Sequence, residues 1–235
     1  MDSYNPFSAI TSVKKSQSDI LADDIKKQII SGVLPTEKAF PNEPDLCKEL
    51  GVSRATLREA YKVLEIQGYI SRTKHGTFVK DKEDVAIDGN FDASLELAKY
   101  NDIIEFLEAL EPEAVSLAAQ RATPEQLAEI EEYMIQCESQ KDVPGAVETL
   151  NYQFHLKIRM ASQNQLIVSA LSASYDQFNQ KIIRRLIKGD RDGFLEQCFK
   201  EHRQLYQAIK DGNSEEAKKI ALKHLRADIK QYKLI

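Results

Sequence analysis

Cysteine is scarce in this sequence and badly placed for cross-linking. The three residues, Cys47, Cys137 and Cys198, are odd in number and far apart, with no Cys-x-x-Cys pair. This argues against a disulfide framework and for free thiols in a reducing, cytoplasmic setting. Long apolar runs are also missing. None approaches the roughly 20 residues needed to cross a bilayer, so no membrane span is expected. The opening Met1-Asp-Ser-Tyr-Asn-Pro lacks the basic flank and apolar stretch of a secretion signal. Excess positive charge is lacking too, since the formal net charge is −5. That deficit is uneven: residues 1–80 hold 12 Lys or Arg against 10 Asp or Glu (+2), and the remainder 20 against 27 (−7). Any electrostatic attraction for a polyanion therefore belongs to the first third.

What is present is a real core and a change of period. A hydrophobic content of 42 % over 235 residues suits one large domain or two modest ones. Residues 1–15 read as a polar lead-in. From Gln17, the apolar positions Ile20, Ile25, Ile29 and Ile30 fall at helical spacing and end at Ser31-Gly32. Asn42 is placed to cap a short helix, Glu43 to Leu50, closed by Gly51. Ser53 caps the next, Arg54 to Gln67, closed by Gly68. Tyr69–Thr73 and Thr77–Lys80 then alternate as half-buried strands do, around a Lys74-His75-Gly76 turn. Two helices about a tight turn, followed by a hairpin, predict a winged helix-turn-helix over residues 1–80. Residues 81–101, acidic and poorly patterned, read as a linker with one or two helical turns around Leu95. Residues 102–235 read as helices over roughly 102–121, 124–140, 143–162, 164–188, 191–211 and 214–232. The fold class is mainly α, a winged helix-turn-helix joined to an antiparallel all-helical bundle.

The helix 54–67 carries the chemistry of the first domain. Leu57, Tyr61 and Leu64 form its buried stripe, while Arg54, Arg58 and Lys62 share another face. The planar fork of arginine matches the O6 and N7 edge of guanine. Ser53, Thr56 and the helix N-terminal amides suit phosphates. Arg72, Lys74 and His75 beside Gly76 stand where a wing reaches an adjacent minor groove. A merely solvated basic face is the plainer reading of the same residues.

In the second domain, histidine is the informative residue. Three of the chain's four lie there, at positions 155, 202 and 224, with Asn151 one turn before His155. Imidazoles converging from three helices would suit a divalent cation such as Zn²⁺; unrelated surface histidines are the alternative. A metal-dependent hydrolase built on His155, His202 and His224 is a rival function. It requires a general base beside a metal-bound water. No His-Glu-x-x-His arrangement is present, and Glu201 is expected to point elsewhere on its helix. An architectural DNA binder would leave about 150 residues of acidic bundle without a role.

Ile30-Ser-Gly-Val-Leu, Pro41-Asn-Glu-Pro-Asp-Leu, Gly51-Val-Ser-Arg-Ala-Thr-Leu-Arg-Glu-Ala and Gly76-Thr-Phe-Val resemble the GntR family of bacterial regulators. Glu105-Phe-Leu-Glu-Ala-Leu-Glu-Pro-Glu-Ala with Leu117-Ala-Ala resembles the FCD ligand domain of its FadR subfamily. The resemblance covers about residues 17–230. It implies a homodimer on a short palindromic operator in double-stranded DNA, with a small-molecule effector controlling the grip and repression the expected sign. It also implies a metal site that matches Asn151, His155, His202 and His224 one by one, for Zn or alternatively Ni or Mn. Three departures stand out. Pro44 occupies a position where the family commonly has Arg, so a DNA contact is missing or supplied by a neighbour. Asn151 offers a neutral oxygen where the family has a carboxylate, which should weaken a cation site. Leu107 replaces an Arg that commonly holds an organic-acid effector. Arg159, one turn beyond His155, is the candidate effector-binding cation in its place; an arginine reaching solvent is the alternative.

Overall fold

The computed structural model describes residues 15–36, 38–81, 83–85, 89–143, 145–182 and 191–233. The lead-in 1–14 and the predicted helical stretch 183–188 fall outside them. The chain divides into two compact units, Met1–Leu97 and Ala98–Ile235.

The first unit is built from locally signalled elements. Helix α1, Gln17–Ile30, starts at a reciprocal cap in which Ser16 Oγ accepts from the Asp19 amide and Asp19 accepts from the Ser16 amide, both at 3.1 Å. Helix α2, Glu43–Leu50, is capped by Asn42 and ends at Gly51, whose φ of 65° is left-handed. Only glycine enters that region without strain. Helix α3, Arg54–Ile66, is capped by Ser53. Strands β1, Ile70–Thr73, and β2, Gly76–Val79, pair antiparallel in the register Ile70↔Val79 and Thr73↔Gly76. Leu57, Ala60, Tyr61 and Leu64 of α3 are fully buried against Leu21, Ile25 and Ile29 of α1 and against Tyr69, Ile70 and Val79. Each large apolar side chain so buried contributes about 1.5–3 kcal/mol, so this stripe sets the orientation of α3.

The stretch expected to be a linker, 81–101, is in part structured. Helix α4, Phe91–Leu97, buries Ala93 in the core of the first unit. Its Glu96 accepts from Tyr69 Oη and from Lys26 Nζ, both at 2.6 Å. The helical turns around Leu95 are as expected; the acidic, weakly periodic sequence concealed only their attachment, which is a polar clasp around a few apolar residues.

The second unit consists of helices and short turns among its described residues. Helix α5 (Tyr100–Arg121) runs through it and packs against four others. These are α7 (Ala146–Ala161), α8 (Gln165–Ile182), α9 (Arg191–Lys210) and α10 (Ser214–Lys233). Helix α6 (Pro124–Ser139) opens with a Thr123–Gln126 reciprocal cap and pairs with α7 and α9. One core gathers Val115, Ile130, Phe154, Ile158, Leu205 and Ile209. A second gathers Ile103, Leu107, Leu171, Phe178, Leu225 and Ile229. Leu107 is completely buried there, so the position where the family carries arginine serves this core.

Candidate functional site

In the first unit, the basic face of α3 is exposed as expected, with Arg54, Arg58 and Lys62 all at the surface. Ser53 Oγ accepts from the Thr56 amide at 3.1 Å and pairs with Thr56 Oγ1 at 2.8 Å, which orders both hydroxyls at the helix N-terminus. At the hairpin tip, Thr73 Oγ1 accepts from the His75 amide at 3.1 Å and donates to the Gly76 carbonyl at 3.2 Å. Gly76 has a φ of +135°, and a Cβ there would come within 3.2 Å of Ala39 Cβ, so the tip requires glycine. Lys74 and His75 stay exposed beside it.

The surprise on this face is Glu43. Its carboxylate accepts from Arg58 Nε at 2.8 Å and from Arg72 Nη2 at 3.0 Å, joining α3 to the hairpin. The Arg58 hydrogen bond is the main reason its carboxyl titrates below the usual range. Sequence reasoning missed this residue. Its partners are 15 and 29 positions away, and only their convergence in space reveals the bridge.

In the second unit, three helices bring the histidines together. His155 on α7, His202 on α9 and His224 on α10 each place one ligand nitrogen within 4.8 Å of the others. Their ring centroids lie 4.8–5.2 Å apart. His202 and His224 are 1 % and 3 % exposed, which removes the alternative of unrelated surface histidines. The Nε2 atoms of His202 and His224 face each other at 3.2 Å. His224 Nδ1 donates to Glu201 Oε2 at 3.0 Å, so in the neutral ring it is Nε2 that carries the lone pair. Glu201 is in turn held by Gln197 at 2.7 Å and Lys223 at 3.0 Å.

Glu201 corrects an expectation. It does not point away from the cluster; it is 2 % exposed and orients His224 from behind. The His224 hydrogen bond is the chief cause that lowers its pKa to about 2. Burial, followed by repulsion from neighbouring histidines, pulls the pKa of His155 and of His202 well below the usual imidazole value. For His224, burial acts in the same direction, but the Asp228 and Glu201 carboxylates outweigh it and raise the pKa.

The residues fit a divalent cation on their own chemistry. Neutral imidazoles are donors to zinc-class metals. A carboxylate behind a ligating histidine is the usual support. Three buried atoms, His155 Nε2, His202 Nδ1 and Asn151 Oδ1, have no hydrogen-bond partner, an arrangement that is costly unless something else satisfies them.

Arg159, on α7 one turn past His155, does not reach solvent. It is 1 % exposed, its Nε donates to the Glu111 carboxylate at 3.1 and 3.3 Å, and its guanidinium lies 3.9 Å from the centre of the Tyr175 ring. Glu111 is 4 % exposed, so the pair is buried on both sides. Arg159 Nη1 is buried and has no partner, leaving one donor unengaged. Glu111 was not singled out in the sequence, and its separation of 48 residues from Arg159 left no local signal.

Comparison with known proteins matches this two-unit architecture. The description "Bacterial regulatory proteins, gntR family" fits residues 17–79, and the FCD domain fits residues 102–227. The chain is 28 % identical over 222 residues to the Glc operon transcriptional activator of Escherichia coli K12, covering 88 % of this chain and 85 % of that protein. It is 24 % identical over 231 residues to the galactonate operon transcriptional repressor of the same organism, covering 94 % and 98 %. Among solved structures, Lar, which controls expression of the Listeria monocytogenes agr system, superposes with a TM-score of 0.60 at 19 % identity, covering 95 % of this chain and 100 % of that one. Streptococcus agalactiae GntR superposes at 0.50 with 24 % identity, covering 90 % and 98 %. These relatives are regulators, and the hydrolase reading lapses with them; Glu201, the acid nearest the histidines in sequence, is engaged by His224, Gln197 and Lys223. The winged helix, the helical bundle and both family matches agree that the chain belongs to the gntR family of bacterial regulatory proteins, as a DNA-binding transcription regulator carrying an FCD effector-binding domain.

Proposed function

We propose that the protein is a metabolite-controlled repressor whose bundle holds a divalent cation and, beside it, a small carboxylate effector. The convergence of three imidazoles on one buried point, with Asn151 Oδ1 and His155 Nε2 unpartnered, is the observation that carries this reading. Asn151, His155, His202 and His224 are the residues that would hold the metal, with Zn favoured and Ni or Mn as alternatives. When bound, the cation supplies a localised positive charge for an anionic ligand. Arg159 is the second cation, with its unengaged Nη1 toward the effector and its Nε fixed by Glu111. Relatives are named for an L-lactate dehydrogenase operon and a galactonate operon. Both names refer to hydroxycarboxylates, and that class is the effector we assign. The nearly end-to-end match with the galactonate operon repressor supports repression as the sign, although the Glc operon relative is an activator.

On the DNA side, Arg54 and Arg58 read bases, Ser53 and Thr56 hold phosphate, and Arg72, Lys74 and His75 around Gly76 reach the minor groove. One α3 reads only a few base pairs, so a homodimer on a palindrome is required for useful specificity. Elemental analysis of tag-free protein purified without chelator tests the metal, with bound zinc, nickel or manganese expected. Asn151→Asp should tighten binding, because it adds a negative charge beside the cation, whereas His202→Ala and His224→Ala should loosen it and blunt the effector response in gel shifts. No metal, no binding on titration and no gain in Asn151→Asp would reject the metal-centred form.

A further inference from the structure

The histidine cluster has a second side. Cys198, one turn before His202 on α9, places Sγ 3.4 Å from His202 Nε2. Asp228, one turn after His224 on α10, places Oδ2 3.6 Å from His224 Nε2. Cys198, His224 and Asp228 form a donor group of their own, with ligand atoms within 4.8 Å of one another. The two histidines thus face a sulfur and a carboxylate as well as each other.

Two physical arguments give this side a function. The first is geometric. With zinc–nitrogen and zinc–oxygen bonds of about 2.0–2.1 Å and a zinc–sulfur bond of about 2.3 Å, the edges of a tetrahedral site are roughly 3.4 Å between nitrogen or oxygen donors and roughly 3.6 Å from nitrogen to sulfur. The observed separations are 3.2 Å for His202 to His224, 3.4 Å for Cys198 to His202 and 3.6 Å for His224 to Asp228. These are three of the six edges of a tetrahedron, each within about 0.2 Å of its ideal length. The second is charge. A dication held by Asn151 and three neutral imidazoles would keep its full charge inside the bundle, and burying uncompensated charge is costly. A thiolate and a carboxylate cancel it.

We infer that Cys198 and Asp228 are ligands of the cation together with His202 and His224, so that this chain carries a sulfur-containing site that recovers the negative charge given up at Asn151. The inference rests on the proposal that the histidine cluster binds metal at all. A cysteine donor selects zinc-class cations over manganese, which prefers oxygen. Cys198 and Asp228 then take the two places given above to Asn151 and His155, whose Oδ1 and Nε2 face the coordinated cation as polar groups available to the effector.

Cobalt(II) is the probe, added to full-length, tag-free, metal-stripped protein. Expected are visible ligand-field bands and, in the near ultraviolet, a sulfur-to-cobalt charge-transfer band that Cys137→Ser keeps and Cys198→Ser loses. The preference for zinc over manganese should also fall by about tenfold or more in Cys198→Ser, in line with the loss of one ligand. X-ray absorption of the zinc-loaded wild type gives an answer that needs no variant to fold, with one sulfur scatterer expected at about 2.3 Å. Ligand-field bands without the charge-transfer band, and a zinc shell of nitrogen and oxygen only, would overturn cysteine ligation and leave the metal proposal standing. No ligand-field bands and no retained zinc would overturn both.

Discussion

Replacing Arg159 by methionine keeps an unbranched apolar stem and removes the guanidinium, and the surroundings of the residue set the consequence. Arg159 and Glu111 are 1 % and 4 % exposed, with Nε–carboxylate distances of 3.1 and 3.3 Å. Removing one partner of such a pair strands the other charge in the interior, at a cost of about 3–5 kcal/mol. Loss of the cation against Tyr175, 3.9 Å away, acts in the same direction. For a unit the size of Ala98–Ile235, each kcal/mol lowers Tm by roughly 3–4 °C, so the bundle transition should fall by about 10–20 °C. Adding Glu111→Leu should recover most of this, because an apolar pair of similar volume replaces a buried ion pair at little or no net cost. Scanning calorimetry of wild type, both single variants and the double variant closes the cycle, and a coupling of about 3 kcal/mol or more is expected. The double variant, stable but without the cation, should also lose its response to a hydroxycarboxylate in gel shifts. A loss under about 1 kcal/mol in Arg159→Met, or a double variant as unstable as the sum of the singles, would refute the buried-pair reasoning.

Further expectations concern the DNA-binding unit. Arg54→Ala and Arg58→Ala should each weaken operator binding by about 1–3 kcal/mol with the fold intact, measured by fluorescence anisotropy against operator and scrambled duplexes; unchanged operator binding in both would dismiss α3 as the reading helix. Glu43→Ala releases Arg58 and Arg72 and removes a negative charge, so scrambled DNA should bind more tightly while the ratio of specific to non-specific affinity drops. Because its hydrogen bond with Arg58 lowers the Glu43 pKa below the ordinary 4.5, its contribution to stability is full above that value and is lost as pH falls through the folded-state pKa. The acid limb of Glu43→Gln should accordingly be flatter than that of wild type in DNA-free protein.

The winged helix was legible because its signals are local. Ser16, Asn42 and Ser53 each cap a helix through an amide three residues on, and Gly51 and Gly76 stand where only glycine is comfortable. Contacts over three or four residues are written directly in the order of the chain. The Asn151–His155–Arg159 face was legible for the same reason, as is the one-turn spacing of Cys198 to His202 and of His224 to Asp228, although those two pairs were passed over. What sequence order could not supply is how far each helix rotates about its axis when it packs, since that is decided by side chains from distant segments filling a common core. That rotation buried Arg159 against Glu111 instead of releasing it to solvent, turned Glu201 onto His224, drew Glu43 between Arg58 and Arg72, and fastened α4 to Tyr69 and Lys26. A four-residue spacing says that two side chains share a face; only the packed bundle determines what that face meets.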